Sequence, residues 1–280
     1  MTTPSSPTLG KPFNRLLLTG AAGGLGQILR EALQAHANVV RASDISAMAP
    51  AAGAHEEVIS CNLADKAGVL ALAQGVDAIV HLGGISTERA FEEILDANIR
   101  GTFHIYEAAR KHGIPRVVFA SSNHVTGFYP QDEQVDAQSV RRPDCYYGLS
   151  KSYGEDLATF YFHRYGIETV SLRIGSSFPE PTDRRHLITW LSYRDCRQLV
   201  EKSLSAERVG FMVAYGMSDN SQAFWDNRTA ASLGYKPEDS ADDYADKVFA
   251  KTKQGDPNDP AVRFQGGSFA AAGHYEDEKK

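Results

Sequence analysis

Residues 19–26 read Thr-Gly-Ala-Ala-Gly-Gly-Leu-Gly, and they lie directly between an apolar run and a helical pattern. That placement leaves the chain few folds to choose from. Residues 15–20 are short and apolar, as a buried strand is, while 25–35 carry helical spacing. Gly20, Gly23 and Gly26 permit a tight turn between the two and let backbone approach a pyrophosphate. The helix amino terminus then faces the negative charge. An ordinary strand-to-helix turn is the competing reading of the same glycines.

The alternation continues along the chain. Further strand candidates are 38–44, 57–63, 77–84, 116–122, 169–175 and 211–215, most of them nearly continuous in apolar residues. Strands buried on both faces read this way. Helical patterns at 67–74, 91–111, 147–165 and 190–204 separate them. The expected fold is therefore α/β, a Rossmann-type doubly wound parallel sheet of about seven strands. The Pro/Ser/Thr-rich start (1–12) reads as a flexible tail, and 13–175 as the dinucleotide-binding domain. The pattern loosens after 175. A loop at 178–185, short helix candidates at 223–233 and 240–251 and a Gly/Pro/Asp-rich end make 176–280 a cap packed on the same domain. Open parallel sheets bind ligands at the carboxyl edge such a cap covers.

Composition excludes other classes. A formal net charge of -6 argues against nucleic acid or a membrane surface as the main partner. No apolar run approaches the ~18 residues of a membrane helix. The first residues lack the apolar core of a secretory signal. Three scattered cysteines, Cys61, Cys145 and Cys196, form neither a disulfide framework nor a zinc pattern. No metal is expected, and a reducing cytoplasm fits.

Candidate chemistry clusters at the predicted strand ends. Asp44, at the end of the second strand, can accept hydrogen bonds from an adenosine ribose and favours NAD over NADP; a turn aspartate before Ser46 is the plain alternative, and nearby Arg41 complicates the choice. Asn62 and Leu63 fall where an adenine would lie. His81-Leu82-Gly83-Gly84-Ile85-Ser86 leaves room for a cofactor against backbone, or is a simple strand exit. Ser121-Ser122-Asn123-His124 sits where the active crevice belongs, or is a strand-end polar turn, with His124 either a substrate donor or a packed histidine. Tyr147 and Lys151, at i and i+4, share a helix face. A nearby ammonium favours a phenolate, so the pair reads as an acid/base device with a lowered phenol pKa, or as an ordinary helix face. Arg184 and Arg185 lie in the irregular segment. Arginine suits a carboxylate, although a solvated loop charge is the simpler reading.

Together, Thr-Gly-x-x-Gly-x-x-Gly at 19–26, the serine after the fifth strand, Tyr-x-x-x-Lys at 147–151 and Asn98-Ile-Arg-Gly-Thr resemble the extended short-chain dehydrogenases/reductases. His-Leu-Gly-Gly-Ile-Ser (81–86), Ala-Ser-Ser-Asn-His (120–124), Arg-Ile-Gly-Ser (173–176) and Asp-Pro-Asn-Asp-Pro-Ala-Val-Arg-Phe-Gln-Gly-Gly (256–267) are similar to the bacterial uronate dehydrogenases. That resemblance implies NAD-dependent oxidation of D-galacturonate and D-glucuronate at C1 to an aldarolactone. It implies Tyr147 as general base, Lys151 as its assistant and ribose partner, and Ser122 as the group orienting the C1 oxygen. It implies a substrate site of Ser86, Ser122, Asn123, His124, Ser176 and Arg185, with Arg185 on the carboxylate. Gly24, Leu25, Asp44, Asn62, Leu63, Leu82 and Gly83 match cofactor positions, and Asn98 is a structural support. Two positions depart from the wider class: Thr126 replaces a tyrosine and Asn62 an aspartate. The alternatives are a sugar-nucleotide epimerase or dehydratase of the same superfamily, which recycles its cofactor, and a non-catalytic NAD-sensing protein. The sensor would not need Ser122, Tyr147 and Lys151 together. The apolar faces of the helices at 91–111 and 147–165 fit a homo-oligomer, or equally packing within one chain.

Overall fold

The computed structural model describes residues 11–275, so most of the expected amino-terminal tail lies outside the described residues. Seven strands form one sheet: β1 (Phe13–Thr19), β2 (Ala37–Asp44), β3 (Glu56–Ser60), β4 (Ala78–His81), β5 (Arg116–Ser122), β6 (Glu168–Ile174) and β7 (Phe211–Gly216). Their order is β3-β2-β1-β4-β5-β6-β7. Every neighbouring pair is parallel. The chain winds outward from β1 to β3, then crosses to β4 on the other side of β1. The resulting switch point opens a crevice at the carboxyl ends of β1 and β4.

Helices cover both faces: α1 (Gly24–Ala32), α2 (Lys66–Leu72), α3 (Phe91–Ile94), α4 (Gly101–His112), α5 (Tyr146–Tyr165), α6 (His186–Thr189) and α7 (Tyr193–Ser205), then the shorter α8 (Arg228–Ser232), α9 (Ala245–Lys251), α10 (Pro260–Arg263) and α11 (Ser268–Ala271). The period of two along β1 divides the core. Leu16 and Leu18 pack with Leu29 of α1 and with Leu199 and Leu204 of α7. Leu17 faces the other way, with Val69 of α2, Ile105 and Tyr106 of α4 and Ala158 and Tyr161 of α5. Among the described residues no helix is long and apolar enough to cross a membrane.

Several elements differ from the sequence reading, each for a local reason. The third and fourth strands stop at Ser60 and His81, so Asn62, Leu63, Leu82 and Gly83 lie just past the strand ends. The expected helix at 91–111 is interrupted by a π-helical stretch, Leu95–Arg100. Within it Asn98 accepts from the Ile85 amide (2.7 Å) and donates to the Ile85 carbonyl (2.9 Å) and Ser150 Oγ (2.9 Å). It therefore ties the loop after β4 to α5. The helix expected from 190 starts at Tyr193, because Ser192 caps it by accepting from the Asp195 amide and Trp190 instead pairs with Ser176. The helix expected at 223–233 shortens to Arg228–Ser232 because Trp225 bridges to Val135.

Candidate active site

The cofactor side begins at β1. Gly20 has φ +73, and a Cβ there would stand 2.7 Å from the Gly83 amide nitrogen. The backbones leaving β1 and β4 therefore close on each other only because residue 20 is glycine. A Cβ on Gly26 would meet the Gly20 carbonyl oxygen at 2.1 Å, so α1 packs against the turn at the same price of a missing side chain. Gly23 caps α1 without a side-chain hydrogen bond, and the first turn carries no acidic residue. A Cβ on Gly24 would find nothing within 4 Å. The helix thus presents free amides over open space, as an anion requires. Gly26→Ala must displace backbone, and we expect it to weaken NAD+ affinity at least tenfold. Calorimetric titration checks this; unchanged affinity would contradict the packing.

Asp44 makes the expected turn contacts at the edge of the cleft. Its oxygens accept from the Ala22 amide (3.0 Å) and the Ser46 amide (2.9 Å) while the residue lines the cleft. Arg41 is turned away, held by Glu57 (2.5 Å) and the Leu72 carbonyl (2.6 Å). An acid in the cleft and the nearby arginine engaged elsewhere suit a free ribose hydroxyl rather than a phosphate. Gly20, Gly23, Gly24, Leu25, Gly26, Asn62, Leu63, Leu82 and Gly83 line the same cleft of about 1430 Å³. So do Ser86, Ser122, Asn123, His124, Tyr147, Lys151, Ser176 and Arg185.

Tyr147 and Lys151 lie on the first turns of α5, both buried. Glu88 holds that helix start: its two oxygens accept from the amides of Tyr146 and Tyr147, each at 3.0 Å. Cys145 caps the same end, its sulfur accepting from the Gly148 amide at 3.2 Å. Tyr147 and Ser122 line the same cleft. Lys151 Nζ donates to the Ala120 carbonyl at 2.7 Å and stands 5.6 Å from the Tyr147 ring centre.

The expected lowering of the phenol pKa is corrected here. Burial pushes Tyr147 up to about 12; Ser122 works against that, while Cys145 and Asp144 add to it. Burial also brings Lys151 down to about 8. Desolvation disfavours charge on both groups and is the largest cause of each shift. Stability follows with a definite sign. A lysine ordinarily near 10.5 and held at about 8 in the fold carries a burial cost of about 3 kcal/mol below pH 8. Between about 8 and 10.5 the unfolded chain binds more protons, so stability rises with pH. Lys151→Met should therefore melt at or above the parent at pH 7 and lose that advantage as pH approaches 10.5. A melting temperature falling several degrees at pH 7 would contradict this.

On the opposite wall Arg185 is suspended in a web of hydrogen bonds. Nε donates to the Gln265 carbonyl (2.9 Å) and Nη1 to Ser176 Oγ (3.2 Å). With the Asn123 amide oriented to satisfy both its groups, Oδ1 accepts from Arg185 Nη2 at 2.8 Å and Nδ2 donates to the Ile174 carbonyl at 3.0 Å. A guanidinium has five N–H donors. Three are engaged, leaving two, and among the described residues no carboxylate lies within ion-pair distance of Arg185. Burial lowers its pKa. Arg184 is instead held by the Thr252 carbonyl and the Phe249 ring.

Three contributors escaped sequence reasoning. Glu88 reads as one more loop charge. Gln265 is fully buried, with Nε2 donating to the Pro130 and Glu133 carbonyls and Oε1 accepting from Trp225. Phe269 packs on His124, ring centres 4.1 Å apart. Their sequence signals are weak because each works on a distant segment. The departure at Thr126 has a local account: its hydroxyl meets the Tyr215 hydroxyl from β7 at 3.1 Å.

The chain is similar to known proteins over most of its length. Residues 16–195 match the NAD dependent epimerase/dehydratase family. A uronate dehydrogenase of Pseudomonas putida is 63% identical over 94% of this chain and 98% of its own length. The solved glucuronic acid dehydrogenase of Chromohalobacter salexigens superposes with a TM-score of 0.92 at 49% identity, covering 94% of this chain and 99% of that one. A tyrosine-to-alanine mutant of the Agrobacterium tumefaciens uronate dehydrogenase, complexed with NAD, gives 0.91 at 47% identity, covering 95% and 100%.

Proposed function

This chain belongs to the uronate dehydrogenases, within the NAD dependent epimerase/dehydratase family, and we propose how its residues divide the work. The activity is that of an NAD-dependent oxidoreductase acting on the C1 hydroxyl of hexuronates. Tyr147 is the general base: it takes the C1 hydroxyl proton, and Ser122, lining the same cleft, orients that oxygen. Bound NAD+ supplies the hydride acceptor and a positive charge beside the site. Lys151 contributes position and charge, and releases the Ala120 carbonyl to hold a ribose hydroxyl. Because the phenol starts near 12, each pH unit of activation requires about 1.4 kcal/mol of added interaction with the phenolate. Loss of hydride from C1 of a cyclic hemiacetal yields the aldarolactone directly, without a cysteine nucleophile.

The observation that carries the substrate assignment is the Arg185 guanidinium, fixed through three N–H groups with two left over. Two parallel N–H donors match a carboxylate. Asp44, Asn62, Leu63, Leu82 and Gly83 take the adenosine half of the cofactor and the glycine turn its pyrophosphate. Ser86, His124 and Ser176 complete the sugar site. Residues 13–175 act as the cofactor domain. Past 175, β7 extends the sheet and α7 packs on it, while residues within 176–186, 252–255 and 261–269 line the cleft. Exposed Phe103, Phe160 and Tyr165 on α4 and α5 support self-association, and three free cysteines suit a cytoplasmic setting. Net NADH formation from a hexuronate tests the reading; an epimerase would accumulate none.

A further inference from the structure

We propose that Asp144 is a positioning residue for this reaction: its carboxylate fixes the tautomer of His124, so that Nε2 accepts a hydrogen bond from a ring hydroxyl of the sugar. The inference rests on the hexuronate site described above. His124 Nδ1 lies 2.9 and 3.1 Å from the two Asp144 oxygens. A carboxylate only accepts, so Nδ1 carries the hydrogen. In the neutral ring Nε2 then keeps its lone pair, and among the described residues no hydrogen bond engages it. His124 lines the cleft, so that lone pair is what the ring has to offer a ligand.

The carboxylate is placed with some care. Its side chain has no solvent exposure. A Cβ on Gly127 would stand 1.9 Å from Asp144 Oδ2, and one on Gly266 would stand 1.7 Å away. These glycines, one mid-chain and one near the carboxyl end, are joined where the Gly266 amide donates to the Gly127 carbonyl at 2.8 Å. Both strands of backbone thus leave out a side chain to admit this carboxylate. The imidazole is fixed as firmly. Phe269 covers one side, the Tyr147 ring meets it edge-on at 5.7 Å, and its own amide donates to Ser122 Oγ at 3.2 Å. Ring orientation and tautomer are both set beside the proposed base.

Cys145 Sγ lies within reach of the same two groups, so His124, Asp144 and Cys145 form a compact trio. The thiol is already used, donating to Asp144 Oδ1 at 3.0 Å and accepting from the Gly148 amide. Burial holds it far from ionising. The trio is a hydrogen-bond chain ending at Nε2.

The test uses the full-length enzyme with NAD+ bound. Nitrogen-15 NMR of labelled histidine, with His124→Gln identifying the resonance among the 9 histidines, reads the tautomer directly. Nδ1 protonated and Nε2 bare is expected; the reverse overturns the proposal. Asp144→Asn fills the same gap between the glycines, so folding and NAD+ affinity should hold. It should lower kcat/KM for the hexuronate at least tenfold, mostly through KM, and shift the His124 signals. In the His124→Gln background the same change should cost less than threefold. An equal loss in both backgrounds, or no loss in the parent, overturns the positioning role. Should Asp144→Asn fail to fold, the parent spectrum alone still decides. Absence of turnover on any hexuronate by the parent protein would defeat the activity reading and leave the tautomer measurement standing.

Discussion

Replacing Tyr147 with phenylalanine lowers kcat by at least about a thousandfold, toward the upper end of what one general base contributes, while NAD+ binds within a few-fold of the parent. The phenol shares this cleft with Ser122 and is presented from the helix face that carries Lys151. The ring itself stays packed against His124 and Phe269, so the wall of the site survives the change. The glycine turn and Asp44, far along the sheet edge, are untouched. Rate by NADH absorbance and affinity by calorimetry separate the two effects. Retained turnover would remove Tyr147 from the role of base.

Removal of the guanidinium has the second large effect. Arg185→Ala should raise KM for hexuronates by about 10²- to 10⁴-fold, since two charge-assisted hydrogen bonds of about 1.5–3 kcal/mol each are lost. It should leave the slow rate with neutral galactose nearly unchanged, so discrimination between acid and neutral sugar collapses. Arg185→Lys keeps charge but loses the fork, and falls between the two. The substitution also frees Ser176 and the Gln265 carbonyl, so thermal unfolding must accompany the kinetics. A KM that stays within threefold would place the carboxylate elsewhere.

The sheet was legible because buried parallel strands leave nearly unbroken apolar runs; β5 matches its expected span of 116–122. The helix face of Tyr147 and Lys151 was legible because i and i+4 is a local relation. The phenol's pKa was not, because its sign depends on how completely α5 is desolvated against β5. Nor was Asp144, which reads in Arg-Arg-Pro-Asp as a turn aspartate. Its partner is twenty residues back in sequence and its room depends on Gly266 near the other end. Glu88 is hidden for the same reason: its ligands are two backbone amides, and amides leave no mark in a sequence. Arg185 became readable only through the resemblance, since a loop arginine by itself says little about what it holds.

The most direct measurement is NADH absorbance on mixing the purified protein with NAD+ and D-galacturonate or D-glucuronate, beside neutral galactose. Steady NADH formation with the acids, and kcat/KM lower by about two orders of magnitude with galactose, is the expected result, the ratio following from two charge-assisted bonds at Arg185. No NADH from either acid, or equal rates with galactose, would contradict it.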